Sequence, residues 1–212
     1  MHVAYTPAEE GSARVGIVVD VVRATSSIAQ ALASGYERVL CCREIDEARA
    51  LRTELGEDAV VGGERSGVVV EGFDVGASPR EFAAGARARN LILSTTNGTA
   101  AILTAAERCN VVLLGSLLNL HAVCDAARTA GGDVVVYCAG RIVGQLDGER
   151  SDAAVAADLL ARSFPSALAG LNARRYGPPG LEADIEYCAR ENLLATVPRF
   201  ARMVGPAAEI VA

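Results

Sequence analysis

Runs of apolar residues rich in valine, isoleucine and leucine alternate along the chain with alanine-rich segments of helical spacing. Short continuous apolar runs bounded by glycine or polar residues are typical of buried strands, and longer periodic segments are typical of helices. The predicted strands are residues 15–19, 38–41, 59–61, 90–93, 111–114 and 134–138. The predicted helices are residues 26–34, 45–55, 99–108, 118–130, 152–163 and a short one within 181–194.

This alternation predicts an α/β fold. Strands that are apolar on both faces need cover on both sides, so we expect an α/β/α arrangement around a mixed, largely parallel sheet. The segment Gly177-Pro178-Pro179-Gly180 interrupts the pattern, and the regular alternation of apolar strands and helices does not continue after it. We therefore expect one domain over residues 1–212, in which residues 171–212 form a C-terminal appendage or small subregion.

Composition narrows the class of protein. The 212 residues are 51% hydrophobic and carry a formal net charge of −6, with only 4% aromatic residues, which argues against nucleic-acid binding. The longest apolar stretch, residues 111–123, is too short to cross a membrane. Six cysteines without a C-x-x-C motif, and no signal peptide, predict a cytoplasmic protein. The apolar helix within residues 117–131 suits either a core position or a homodimer interface.

The basic residues limit the chemistry. All 20 of them are arginine, so a lysine Schiff base and a P-loop lysine are excluded. An anionic ligand must be bound by arginine side chains or by backbone N–H groups.

Polar clusters follow several predicted strands, where α/β proteins usually form their sites. Asp20 interrupts the apolar run IVVDVV and is followed by Arg23 and three hydroxyl residues, so it either caps the next helix or serves a metal or a substrate. Residues 94–99, STTNGT, form a strand-to-helix turn. The turn predicts either a simple helix cap or an anion cradle made of hydroxyls and backbone N–H groups.

The stretch GGERSGVVVEGFDVGASP, residues 62–79, is bent by five glycines. We expect this bend to turn Glu64, Arg65 and Asp74 towards one pocket, with residues 68–70 as its apolar anchor. Glu71 is expected outside the metal site, either directed to solvent or capping a neighbouring backbone. A further polar loop runs from Gly140 to Asp152.

Together these clusters supply ligands for a cation and for an anion. Mg²⁺ prefers carboxylate oxygens, and the candidate metal ligands are Asp20, Glu64, Asp74 and Asp152. The guanidinium groups of Arg23, Arg65 and Arg150 suit phosphate, sulfonate or carboxylate. The combination predicts metal-assisted chemistry on a small phosphorylated acid. C-x5-R, D-x-D, G-x-x-x-x-G-K and H-E-x-x-H motifs are missing from the positions where the familiar mechanisms need them.

Four motifs in order, IVVDVVRATSSIAQAL (17–32), GGERSGVVVEGFDVGASP (62–79), LSTTNGTAAI (93–102) and VYCAG (136–140), resemble the 2-phosphosulfolactate phosphatase family of coenzyme M biosynthesis. The segment GPPGLEADIEYCARENLLATVP (177–198) is similar to the C-terminal pattern of that family. The resemblance implies Mg²⁺-dependent hydrolysis of a small polyanionic phosphate monoester to sulfolactate and phosphate. The family-like polar positions include Asp20, Arg23, Glu64, Arg65 and Asp74, and we predict that these five are the catalytic residues. The predicted substrate-binding positions are Ser94, Thr95, Thr96, Asn97, Gly98 and Gly140.

Two positions depart from the family pattern. Ser151 precedes Asp152 where the resemblance leads us to expect a Glu-Asp pair, and Ala100 stands where the family commonly has an arginine. These departures support an alternative hypothesis, a non-catalytic anion-binding or regulatory protein that kept the fold. A dinucleotide-binding enzyme is disfavoured because no G-x-G-x-x-G follows the first predicted strand.

Overall fold

The computed structural model describes residues 1–5, 9, 12–137, 141–174 and 179–212. Within them the strands are β1 His2–Ala4, β2 Ala13–Val19, β3 Arg38–Cys41, β4 Ala59–Arg65, β5 Val68–Val69, β6 Asn90–Ser94, β7 Cys109–Gly115, β8 Val134–Tyr137, β9 Arg199–Val204 and β10 Ala207–Val211. The helices are α1 Ala24–Ala33, α2 Ile45–Leu55, α3 Pro79–Phe82, α4 Gly98–Arg108, α5 Leu120–Ala130, α6 Asp152–Arg162, α7 Ala167–Asn172 and α8 Glu182–Cys188. No helix in these ranges has the length and apolar content needed to cross a membrane.

The strands form one mixed sheet in the order β1-β8-β2-β7-β9-β10-β3-β6-β4-β5. Two parallel groups, β1-β8-β2-β7 and β3-β6-β4, are joined by the antiparallel hairpin of β9 and β10. The predicted α/β class, with a largely parallel sheet between layers of helices, is confirmed.

The main hydrophobic core lies around helices α1 and α4. It contains Ile28 of α1 and Ile102 of α4, packed with Val18 and Leu114 from one parallel group and Leu91 from the other. Because both groups share this cluster, the sheet curves around the two helices. The curvature brings the carboxyl end of β2 close to those of β4 and β6, although five strands lie between β2 and β4 in the sheet.

The last part of the C-terminal segment, residues 199–211, is part of the sheet rather than an appendage. Strands β9 and β10 lie between β7 and β3, in the middle of the sheet. Strand β10 contains the buried Glu209, whose carboxylate oxygens accept hydrogen bonds from Arg38 and Arg202, both at 2.7 Å. The two guanidinium groups compensate the buried charge, so a strand with an internal glutamate is tolerated in the core.

Candidate active site

A polar pocket of about 190 Å³ opens at the carboxyl ends of β2, β4 and β6. Its wall includes the functional side chains of Asp20, Arg23, Glu64, Thr95, Thr96 and Asn97. The carboxyl ends of parallel strands are where open α/β sheets bind ligands. Residues from three separate predicted clusters therefore meet at one place.

Asp20 directly follows β2, and Thr25 fixes the turn on which it lies. The Thr25 hydroxyl accepts a hydrogen bond from the Asp20 N–H at 3.0 Å and donates one to the Asp20 carbonyl at 2.9 Å. Burial, together with the nearby negative charge of Glu64, raises the pKa of the Asp20 carboxyl to about 6. The Ala24 N–H and the charges of Arg174 and Arg23 oppose this rise in pKa without cancelling it.

Glu64 is held by three donors. Its Oε1 accepts from the Thr96 N–H at 2.8 Å, and its Oε2 accepts from the Gly67 N–H at 2.7 Å and from the Thr96 hydroxyl at 3.2 Å. Ser66 and Gly67 both have positive φ angles, 53° and 86°, which fit the two-residue turn between the antiparallel strands β4 and β5. The hairpin thus orients the Glu64 carboxylate and joins it to the turn after β6.

The structure does not bring Arg65 and Asp74 to this pocket. Arg65 follows Glu64 within β4, and successive side chains of a strand point to opposite faces. Its guanidinium donates to the carbonyls of Glu64 at 2.8 Å and Arg43 at 2.9 Å and to the Ser94 hydroxyl at 2.9 Å. Asp74 is exposed, and its carboxylate accepts from the Val61 N–H at 2.9 Å.

The apolar part of the same stretch also differs from the prediction. Val68 and Val69 are exposed at 58% and 51%, and Val70 alone of the three is buried. Glu71 is exposed, in agreement with the first of its two predicted positions. The hairpin is therefore held by the hydrogen bonds of Glu64 and Arg65 more than by its valines.

The turn after β6 divides its residues between structural and pocket positions. Ser94 is buried and contacts Arg65, whereas Thr95, Thr96 and Asn97 line the pocket. A Cβ atom on Gly98 would lie 2.3 Å from the Cβ of Ala24 and 3.0 Å from the Asp20 Oδ2. Only glycine lets the N-terminus of α4 approach α1 this closely, and the N-terminal N–H groups of a helix favour anions.

A further predicted metal ligand, Asp152, lies elsewhere. Asp152 is exposed at the start of α6, a helix that packs on β1, and it does not line the pocket. Gly140 lies outside the described residues. Among the described residues, no group of three or more His, Cys, Asp or Glu side chains is arranged to hold a metal ion. Of the four predicted metal ligands, the pocket contains two, Asp20 and Glu64.

One residue beside the pocket was not predicted from the sequence. Asp184 of α8 is buried, and its Oδ2 lies 2.8 Å from the Arg23 Nη1 in an ion pair. Its Oδ1 accepts a hydrogen bond from the Ser78 hydroxyl at 2.6 Å. The signal was present, because Asp184 shares a helical face with the buried Ile185 and Cys188. A carboxylate on an apolar face requires partners.

The family model described as 2-phosphosulpholactate phosphatase matches residues 2–202 of the chain. The chain belongs to the 2-phosphosulfolactate phosphatase family. Three relatives are each named probable 2-phosphosulfolactate phosphatase. The Clostridium acetobutylicum protein is 32% identical over 88% of this chain and 89% of its own length. The Carboxydothermus hydrogenoformans protein is 36% identical over 86% and 84%, and the Thermus thermophilus protein is 35% identical over 91% and 90%.

The two departures from the 2-phosphosulfolactate phosphatase pattern lie outside the pocket wall. Ser151 is the N-cap of α6, and its hydroxyl accepts from the Ala154 N–H at 3.3 Å. Ala100 lies in the first turn of α4 and is partly exposed. Neither residue contributes a side chain to the pocket, so the carboxylates and Arg23 are arranged without them.

Proposed function

We propose that the protein hydrolyses the phosphate monoester of 2-phosphosulfolactate, or of a closely related small phosphorylated acid, to the hydroxy acid and phosphate. The observation that carries this proposal is the convergence of Asp20, Glu64 and Arg23 in one polar pocket of a chain that matches the family over residues 2–202. The relatives' names support the same reaction.

The size and polarity of the pocket suit a small polyanion. A volume of about 190 Å³ is below the roughly 300–1,000 Å³ of sites for drug-sized ligands. Arg23 uses two guanidinium nitrogens within the protein, donating to Asp184 at 2.8 Å and to the Gly67 carbonyl at 3.3 Å. Its other N–H groups have no acceptor in the described part of the chain, and they are suited to phosphoryl or sulfonate oxygens.

Mg²⁺ is the cofactor that we propose for this site. The pocket offers two carboxylates, Asp20 and Glu64, together with the side-chain oxygens of Thr95, Thr96 and Asn97, and these are hard ligands of the kind that Mg²⁺ takes. The fit is also electrostatic, since the charge of Glu64 is one cause of the raised pKa of Asp20 and a cation would remove that repulsion. When bound, Mg²⁺ would neutralise charge on the phosphoryl oxygens.

The residues of the chain then supply positioning and charge. Phosphoryl transfer passes through a loose transition state, so that catalysis rests mainly on orientation and electrostatic stabilisation. We expect Arg23 to donate to the equatorial oxygens, and we expect the N-terminus of α4, whose cap residue Asn97 lines the pocket, to favour the same anion. A water molecule attacks phosphorus, the ester P–O bond breaks, and the leaving oxygen takes up a proton to give the hydroxy acid.

The test is phosphate release by the purified protein with Mg²⁺ and 2-phosphosulfolactate, phospholactate or phosphoglycolate. We expect turnover with at least one of them, and its loss in Asp20→Asn. If none is hydrolysed, and if calorimetry shows that sulfolactate or phosphate binds without any need for Mg²⁺, the alternative of a non-catalytic anion-binding protein is correct. The feature that supports this alternative is Ala100, which stands where the family commonly has an arginine.

The homodimer and the cytoplasmic location stay predictions. The helix that suited either a core position or an interface is α5, and its apolar side chains Val123, Cys124 and Ala127 are buried in the core. Exposed apolar side chains are found instead on α6, at Leu159 and Leu160. Sedimentation velocity of the wild-type protein measures the oligomeric state directly.

A further inference from the structure

Helix α8 reaches the pocket through a single buried carboxylate. The side chains of Arg23 and Asp184 are only 9% and 7% exposed, and 160 residues separate them in the chain. The Asp184 Oδ2 accepts from Arg23, and its Oδ1 accepts from Ser78, which lies near the end of the bent stretch of residues 62–79. Asp184 therefore fastens the loop after β2 to the segment that carries the hairpin.

A buried guanidinium needs a fixed orientation to be useful to a ligand. Arginine has five N–H donors in a rigid planar fork, so fixing two nitrogens fixes the directions of all the others. In this site Asp184 fixes Nη1 at 2.8 Å, and the Gly67 carbonyl holds Nη2 more loosely at 3.3 Å. The shorter, charge-assisted contact is the stronger constraint on the direction in which the free N–H groups point.

We infer that Asp184 is a positioning residue of this site, which orients the Arg23 guanidinium and acts on phosphate-ester hydrolysis only through Arg23. This inference rests on the proposed function. Asp184 does not line the pocket, and we expect it not to touch the substrate. Its contribution is the geometry of Arg23, and a misplacement of about 1 Å at a catalytic group is enough to lower a rate about 10²-fold.

A double-mutant cycle tests this dependence. Asp184→Ala should lower kcat/KM about 10²-fold in the wild-type background, mainly through kcat, because Arg23 acts on charge that develops in the transition state. In an Arg23→Ala background the same change should alter kcat/KM by no more than about twofold. Equal losses in the two backgrounds would overturn the inference, since they would show that Asp184 acts on the fold or on the substrate without Arg23.

Asp158 provides the matched control. It is likewise a buried aspartate, with two arginine partners, Arg150 at 2.8 Å and Arg162 at 2.9 Å, but it belongs to α6 and does not line the pocket. Asp158→Ala should lower the thermal stability yet leave kcat/KM of the folded protein within about twofold of the wild type. A loss of kcat/KM equal to that of Asp184→Ala would indicate general destabilisation and would also overturn the inference.

Asp184→Asn covers the case in which the alanine variant does not fold. The amide oxygen can still accept from Arg23 while the amide nitrogen donates to the Ser78 hydroxyl, so this variant should fold and lose less kcat/KM than the alanine variant. The cycle is then repeated with it. If Arg23→Ala turns over too slowly, or if the wild type hydrolyses none of the three esters, calorimetry of inorganic phosphate binding supplies the same four values. If the change at Asp184 alters phosphate affinity equally with and without Arg23, the role of Asp184 is rejected. If the wild type hydrolyses none of the three substrates, only the proposed function is rejected.

Discussion

Replacing Asp20 with asparagine should make the protein more stable at neutral pH while it abolishes turnover. The pKa of the Asp20 carboxyl rises from its usual 3.8 to about 6 on folding, so the folded state binds this proton more tightly than the unfolded chain does. The ionised carboxylate therefore costs stability, fully so above pH 6, and the cost disappears as the pH falls below 3.8.

The structure sets the size of the effect. One unit of pKa corresponds to about 1.36 kcal/mol, so the rise from 3.8 to about 6 corresponds to at most about 3 kcal/mol at pH 8. Asp20 is partly exposed at the pocket, and solvent reduces this upper limit. For a chain of this length, each kcal/mol moves the melting temperature by roughly 2–4 °C, so Asp20→Asn should melt up to roughly 6–12 °C above the wild type.

Urea unfolding at pH 8 and at pH 4, without divalent cations, measures the difference. We expect Asp20→Asn to be the more stable protein at pH 8 and the difference to shrink towards zero at pH 4. Asp147→Asn, the same change at an exposed loop position, serves as the control and should give no such pH dependence. If Asp20→Asn is no more stable at pH 8, or if its advantage is equal at both pH values, the Asp20 carboxylate is not the desolvated neighbour of Glu64 that the structure describes.

Three smaller changes test the placement of other residues. Gly98→Ala should cost about 1–3 kcal/mol of stability and lower activity, because its Cβ would overlap the Cβ of a residue of α1. Gly170→Ala is the control and should be tolerated, because a Cβ there makes ordinary contacts at 3.4 Å and beyond. Thermal unfolding measures the stability of both variants, and a phosphate-release assay measures their activity. Arg65→Ala should lower stability by about 1–3 kcal/mol with little change in kcat/KM of the folded protein, and an activity loss as large as that of Arg23→Ala would contradict its position outside the pocket. Asp74→Asn should keep Mg²⁺ affinity in calorimetry, and a weakened affinity would restore it as a metal ligand.

The elements with strong local signals were predictable. Strand β3 and helix α2 have the predicted bounds, 38–41 and 45–55, because glycine or polar residues separate them from their neighbours. Strands β9 and β10 carried no such signal, since β9 is exposed along much of its length and β10 includes a buried glutamate. Their place in the middle of the sheet depends on partners that are distant in the chain, which local periodicity does not report.

Some residues of the candidate site could also be predicted from the sequence, and others could not. Asp20, Glu64 and the turn after β6 were predictable because each follows or ends a parallel strand, and the ends of such strands meet. Arg65 was misplaced because residues 62–65 were interpreted as a bend, whereas β4 continues through them to Arg65. Once that segment is a strand, its alternation of side chains separates Arg65 from Glu64.

Asp184 shows why a site of this kind is completed by residues that motifs do not reveal. The predicted chemistry needed an arginine beside two carboxylates, and Arg23 meets that need only if its guanidinium is both charged and aimed. A buried guanidinium without a counter-ion is costly, so the fold must supply a carboxylate from some segment. Here that segment is α8, which lies far along the chain and packs against α3, directly after Ser78. The position of the counter-ion is therefore decided by the packing of the C-terminal segment, and the requirement for it could have been inferred from Arg23 itself.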